Sequence, residues 1–160
     1  MPTDFTSLFA TLAAAGGLAC ILHGVDRTTA DVDLVVDLAA DSVRSTIAAL
    51  VGTGYRPMAP VDPAHLADPV VRQRWQQEHG MQVFSLWDGE NRRPTVDILL
   101  EGIVPFEELL ADSVAMTLRG TTVAVASIEH LIRLKRHAGR PQDLADITRL
   151  TQLAQRHRPA

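Results

Sequence analysis

Asp31-Val32-Asp33-Leu34-Val35-Val36 is the stretch that decides how this chain folds. β-branched and apolar residues dominate it, and a strand sends successive side chains to opposite faces. Asp31 and Asp33 therefore share one face while Val32, Leu34 and Val36 share the other. One side of the strand is built for burial, and the other carries two carboxylates. Their Cα atoms would lie about 6.6 Å apart, a separation at which carboxylates can converge on shared divalent cations. Two like charges held so close are costly unless a cation or other partner offsets them. The plain alternative is a half-buried sheet whose open face carries two solvated aspartates.

Upstream, thirteen residues separate Gly17 from Asp31. Gly16-Gly17 opens a short helical stretch, Leu18 to His23, which Gly24 ends. Missing Cβ atoms let backbone N–H groups approach a triphosphate, and the helix dipole adds attraction for an anion. A glycine pair also makes an ordinary tight turn into a helix. The loop Val25 to Ala30 holds Arg27, Thr28 and Thr29. Before the glycines, Ala13 to Ala15 reads as a short strand, and Asp4 to Leu12 as a helix with Phe5, Leu8, Phe9 and Leu12 at helical spacing.

Downstream, a helix is expected from about Ser42 to Val51, with Asp41 as its N-cap. Gly52 to Pro69 is rich in glycine and proline and reads as an irregular connection. No recognisable motif lies between residues 52 and 83. A polar helix covers Val70 to Glu78. Met81 to Trp87 and Thr95 to Leu100 then read as antiparallel strands about a turn at Asp88-Gly89-Glu90-Asn91. In the second of these, Thr95, Asp97 and Leu99 share a face, so Asp97 is the candidate third carboxylate. Three carboxylates on neighbouring strands suit two Mg²⁺ ions, with Mn²⁺ as the substitute.

A short helix near Phe106 to Leu110 leads to a hairpin over Thr117–Ala126, turning at Arg119-Gly120. Ser127 is a good N-cap for a helix Ile128 to His137, and Gly139 a good stop. Pro141 suits the first turn of a last helix running to about Gln155. Ile128, Leu131, Ile132 and Lys135 form one helical stripe, placing the lysine at the end of an apolar face. Its amine either snorkels to water or reaches a phosphate. Asp143 and Asp146 either complement the helix N-terminus or take part in chemistry. Arg27, Arg136 and Arg140 are phosphate partners or ordinary surface charges. Trp75, Trp87 and Tyr55 read as packing residues rather than base-stacking ones, and His23 as packed rather than catalytic.

The bulk properties set the frame. A chain of 160 residues reads as a single domain, 1–160, with a core over about 4–126 and C-terminal helices over about 127–155. A hydrophobic fraction of 46% and a net charge of −4 argue against a surface that coats nucleic acid. Cys20 is the sole cysteine, which excludes an intrachain disulfide and a cysteine zinc cluster, and the six histidines show no zinc-binding spacing. With no signal-like segment and no long apolar run, a cytoplasmic protein without a membrane partner is expected. The expected fold is α+β: a mixed, twisted sheet of about five strands, flanking helices on one side, and a C-terminal helical pair closing a cleft.

The stretches Gly16-Gly17-Leu18-Ala19, His23-Gly24 and Arg27-Thr28-Thr29-Ala30-Asp31-Val32-Asp33-Leu34 together resemble the signature of the DNA polymerase beta-type nucleotidyltransferase superfamily. That signature is hG[G/S], nine to thirteen residues, then Dh[D/E]h. More narrowly, the chain resembles the minimal nucleotidyltransferases and the AbiEii-like toxin nucleotidyltransferases. Its C-terminal run, Glu129 to Arg136 followed by Gly139-Arg140-Pro141-Gln142-Asp143-Leu144-Ala145-Asp146, is similar to the lysine-then-RxxDxxD segment of that group. The family's strand before the glycines is usually rich in Val and Ile, whereas Ala13-Ala14-Ala15 stands here.

The resemblance implies a nucleotidyltransferase fold and ATP or another NTP as donor. It implies Asp31 and Asp33 as principal metal ligands, Asp97 as the third carboxylate, and Gly16 and Gly17 at the nucleotide phosphates. Arg27 and Thr29 would join the glycines there. Lys135, Asp143 and Asp146 would line the C-terminal side of the cleft. The acceptor would be a hydroxyl on a protein, a tRNA end or a small molecule, and a cognate toxin or antitoxin would be the protein partner. The alternative is an inactive member of the fold serving as an antitoxin or nucleotide-binding regulator. A phosphohydrolase using the same carboxylates is a third option.

Overall fold

The computed structural model describes residues 12–100, 102–118 and 120–157. The helix expected over Asp4 to Leu12 lies outside them, save that Leu12 opens the first strand. In chain order the elements are β1 (Leu12–Ala15), α1 (Gly16–Leu22), β2 (Asp31–Val36), α2 (Ala40–Gly52), β3 (Arg56–Pro57) and a 3₁₀ turn (Pro63–Ala67). There follow α3 (Pro69–His79), β4 (Val83–Trp87), β5 (Thr95–Leu99), α4 (Phe106–Ala111), β6 (Val114–Leu118), β7 (Thr121–Val125), α5 (Ile128–Ala138) and α6 (Pro141–Arg156).

The fold is α+β with one mixed sheet in the order β3-β4-β5-β2-β1-β7-β6. Among the described residues it has seven strands, not about five. Part of the excess is β3, two residues inside the glycine- and proline-rich stretch. Arg56 pairs with Trp87 and Pro57 with Leu86, so tertiary pairing overrides local composition there. The hairpin also begins earlier than expected, at Val114, because β6 pairs with β7 along its whole length.

Strand alternation sends the two faces of β2 into two separate cores. Leu34 and Val36 pack with Phe84, Leu86, Val96 and Ile98 against Val43 and Ile47 of α2, Leu66, and Trp75 of α3. Trp75 stacks on Phe84 with ring centroids 5.6 Å apart, so it is a packing residue. Val35, on the aspartate face, joins Ala13, Ala15, Cys20, Leu109, Val125, Leu131 and Leu150 in the second core. Helices thus flank both faces of the sheet, which corrects the one-sided arrangement expected. β2 is apolar on one face and half apolar on the other, so both faces call for cover.

One helix start also differs from expectation. Helix α2 is capped at Ala39, and Asp41 lies in its first turn. No side chain caps its first-turn amides among the described residues; Asp37 braces the approach instead, accepting from the Ala39 N–H at 3.0 Å and the Ser42 hydroxyl at 2.7 Å. Helix α5 follows its sequence signals: the Ser127 hydroxyl accepts from the His130 N–H at 3.2 Å, and Gly139 closes it with φ 65°. Among the described residues no helix is long and apolar enough to cross a membrane.

Candidate active site

Strand register sets two of the three aspartates side by side and leaves the third on the same face two residues away. β2 runs parallel to β5 with Asp31 opposite Thr95 and Asp33 opposite Asp97. Register partners share a face, and neighbouring strands lie about 4.8 Å apart, so Asp33 and Asp97 stand side by side. β1 runs antiparallel to β2 with Ala15 opposite Asp33, which delivers Gly16 to the same place.

Gly16 has φ +60°, and a Cβ built on it would lie 1.9 Å from Asp33 Oδ2, 2.5 Å from its Cγ and 2.7 Å from its Cβ. Only glycine fits: the backbone is left-handed and the Asp33 side chain fills the space. A Cβ on Gly17 would meet Thr29 Oγ1 at 2.8 Å and an Arg27 guanidinium nitrogen at 3.0 Å. The two glycines therefore let the carboxylate and the Arg27–Thr29 loop close on the first turn of α1. The alanines of β1 have a role as well. Ala13 and Ala15 are fully buried beneath α1, where larger side chains would push that helix away.

A cavity of about 710 Å³ opens over this face. Its volume lies within the usual range for small-ligand sites. Gly16, Gly17, Arg27, Thr29, Asp31, Asp33 and Asp97 line one part of it, and Lys135, Arg140 and Asp143 the other. Asp146 is fully buried behind them. Val83, Leu99, Ile103, Leu131 and Leu134 supply an apolar wall, with Gln82 and Gln142 as its amides.

Crowding shows in the proton affinities. Burial pushes the Asp33 carboxyl above the ordinary range, and the charges of Asp97 and Asp31 add to it, against opposing pulls from Arg140 and Lys135. Burial also raises Asp97, with the charge of Asp31 adding, while a hydrogen bond from Ser85 and the Arg140 charge oppose. Among the described residues Asp97 Oδ1 has no hydrogen-bond partner, an uncommon state for a buried carboxylate oxygen.

Among the described residues no three His, Cys, Asp or Glu side chains are drawn together closely enough to hold a metal ion in this arrangement. The donors nonetheless suit a hard divalent cation: all are carboxylate oxygens, one of them is an orphan, and their crowding is relieved by positive charge.

The C-terminal charges are already engaged with one another. Lys135 is 5% exposed; its Nζ donates to Asp146 Oδ2 at 2.8 Å and to Asp143 Oδ1 at 3.4 Å. It does not snorkel. Arg27 donates to the same Asp146 oxygen. Arg140 donates from Nε to Asp143 Oδ2 at 2.8 Å and from its backbone N–H to the same atom at 3.1 Å. Asp143 thus caps α6 and holds Arg140 at once, and these partners keep its carboxyl below the ordinary range despite burial.

Of the candidate phosphate arginines Arg27, Arg136 and Arg140, Arg27 and Arg140 line the cavity, and nothing in the sequence marks Gln82 or Ile103 as lining residues. His23 is a packing residue, its Nε2 lying 2.8 Å from the Ala126 carbonyl oxygen. The Tyr55 ring lies under the Arg93 guanidinium at 4.4 Å, so it too is engaged within the fold. The sequence matches no protein-family model and no curated protein.

Proposed function

We propose that this protein is a nucleotidyltransferase of the DNA polymerase beta type, moving an NMP group from an NTP to a hydroxyl acceptor. The observation that carries the reading is the Asp33–Asp97 register pair, set against Gly16 within one cavity that also holds Asp31, Arg27 and Lys135. Asp31 and Asp33 would hold divalent cations, Mg²⁺ first, with Asp97 completing the set. When bound, these cations neutralise developing charge on phosphate oxygens and lower the barrier to attack.

The chain's own residues do the rest. The Gly16 and Gly17 turn offers backbone amides to phosphate without side-chain obstruction, and Arg27 and Thr29 lie over it. Asp97 Oδ1, buried and unpartnered with a raised proton affinity, is suited to take the acceptor's hydroxyl proton. The acceptor oxygen bonds to the α-phosphorus, the bond from α-phosphorus to the bridging oxygen breaks, and pyrophosphate leaves with that electron pair. Catalysis of this kind is mostly positioning and charge stabilisation, which a rigid sheet floor provides.

The test is incubation with each α-³²P-labelled NTP and Mg²⁺ against separate protein, tRNA and small-molecule pools. The proposal predicts labelled acceptor and released pyrophosphate. Pyrophosphate or phosphate without labelled acceptor points to a phosphohydrolase instead. A second reading, a nucleotide-binding regulator or antitoxin without turnover, is favoured by one observation: Arg27, Lys135 and Arg140 are all paired with internal carboxylates. Tight NTP binding with no label transferred supports that reading.

A further inference from the structure

Asp146 is fully buried, does not line the cavity, and lies on α6, yet its Oδ2 takes both Lys135 from α5 and Arg27 from the β2 approach loop. Among the described residues, Oδ1 of the same carboxylate has no hydrogen-bond partner. The Arg27 fork is anchored along one edge. One terminal nitrogen goes to Asp146, Nε donates to the Thr28 carbonyl at 3.1 Å, and the other terminal nitrogen lies over Gly17. Its side chain is only 12% exposed, so little rotamer freedom remains.

We infer that Asp146 is a positioning residue: from outside the cavity it fixes Arg27 and Lys135 together at the glycine turn, where they receive phosphate. This rests on the nucleotidyltransferase reading for the identity of the anion. Arginine is suited to the role because its planar fork keeps donors free for a ligand while one edge is anchored. Without Asp146, Arg27 loses its carboxylate anchor and Lys135 keeps only the longer contact to Asp143, so both would leave these positions. The cost falls on preorganisation, since the residues that meet phosphate would no longer wait in place.

The sign of the effect separates this from the simpler electrostatic picture. A carboxylate that merely stands behind the cations repels phosphate, so removing its charge would tighten binding. A carboxylate that holds them in place weakens binding when removed. The probe is inorganic tripolyphosphate with Mg²⁺, followed by calorimetry on the full chain. Asp146→Asn should weaken binding about tenfold, within the range of coupling between directly contacting groups.

In an Arg27→Gln background the same change should cost clearly less than in the native chain, because the part of its effect carried by Arg27 is already gone and only the part carried by Lys135 remains. A merely structural role gives additive losses instead. Tightened or unchanged binding in Asp146→Asn, or additivity in the double variant, overturns the inference while leaving phosphate binding intact. No binding by the native protein overturns the phosphate-site reading and this inference with it.

Because Asp146→Asn can unfold a buried site, the native protein provides a second measurement. The ¹³Cγ resonance of Asp146 should move on saturation with the probe, through Arg27 and Lys135. An unmoved resonance under saturating probe overturns the assignment.

Discussion

Replacing Gly16 by alanine tests the geometry most sharply, because the two costs it incurs are separate. The left-handed backbone, φ +60°, costs an alanine about 1–2 kcal/mol. The new methyl would also sit 2.7 Å from Asp33 Cβ and 2.5 Å from its Cγ, so rotating the tip of that side chain is not enough. Forcing Asp33 off its rotamer adds about 0.5–1.5 kcal/mol. Alanine's lower freedom in the unfolded chain returns about 0.4–1 kcal/mol. The net expectation is a loss of about 1–2 kcal/mol, read as a fall in Tm of about 2–8 °C.

The assay pairs denaturant unfolding with calorimetric titration of Mg²⁺ and NTP. Ligand affinity should fall further than stability does, because the displaced group is Asp33 itself. Gly17→Ala is the control. Its backbone is helical, and its methyl meets mainly the ends of Arg27 and Thr29, so it should be milder on stability. A Gly16→Ala protein as stable as the native one, with unchanged Mg²⁺ and NTP binding, would refute the packing of Asp33 on that glycine.

Other expectations follow from the same charges. With their folded proton affinities raised, Asp33 and Asp97 bind more protons in the native state than in the unfolded one. Their contribution to stability is full below the unfolded carboxylate value of about 4 and is lost as pH rises through the raised folded values. Tm measured without divalent cation should therefore fall across that window, and Mg²⁺ or Asp33→Asn should flatten the fall. Asp143, held low, acts oppositely and lower: its contribution is lost as pH drops below about 4, so the two effects separate on one pH series. Asp33→Asn should cut transfer by at least about 10³-fold in the labelled-NTP assay while leaving the fold intact. Lys135→Ala should lower stability by about 1–3 kcal/mol, because it leaves the buried Asp146 with Arg27 as its cation and Asp143 with Arg140. Circular dichroism melts check this, and a native-like melt would mean the lysine contributes to ligand binding alone.

Much of the aspartate face was legible because strand alternation is a strict rule. Once Asp31 and Asp33 were placed on a strand, their common face followed, and Asp97 followed from the same alternation in Thr95–Leu99. What alternation does not supply is register between strands distant in sequence. The parallel pairing that sets Asp33 beside Asp97 depends on how the two cores fill.

The C-terminal charges show the other limit. Lys135 at the end of an apolar stripe looked as ready to snorkel as to enter a cleft, and helical periodicity gives no means of choosing. Its buried amine is held by an oxygen of Asp146, one helix away, which it shares with Arg27, over a hundred residues earlier. β3 was missed for a similar reason, since two residues carry no periodic signal and only Trp87 and Leu86 make them a strand.

The central claim is that Asp31, Asp33 and Asp97 with the Gly16-Gly17 turn form a Mg²⁺-dependent NTP site. Calorimetric titration of Mg²⁺ and NTP into native protein and into folded Asp33→Asn tests it most directly. The account predicts saturable, Mg²⁺-dependent binding by the native chain and its loss in the variant. Equal affinity in the two proteins, or no NTP binding by the native chain with Mg²⁺ present, would contradict it.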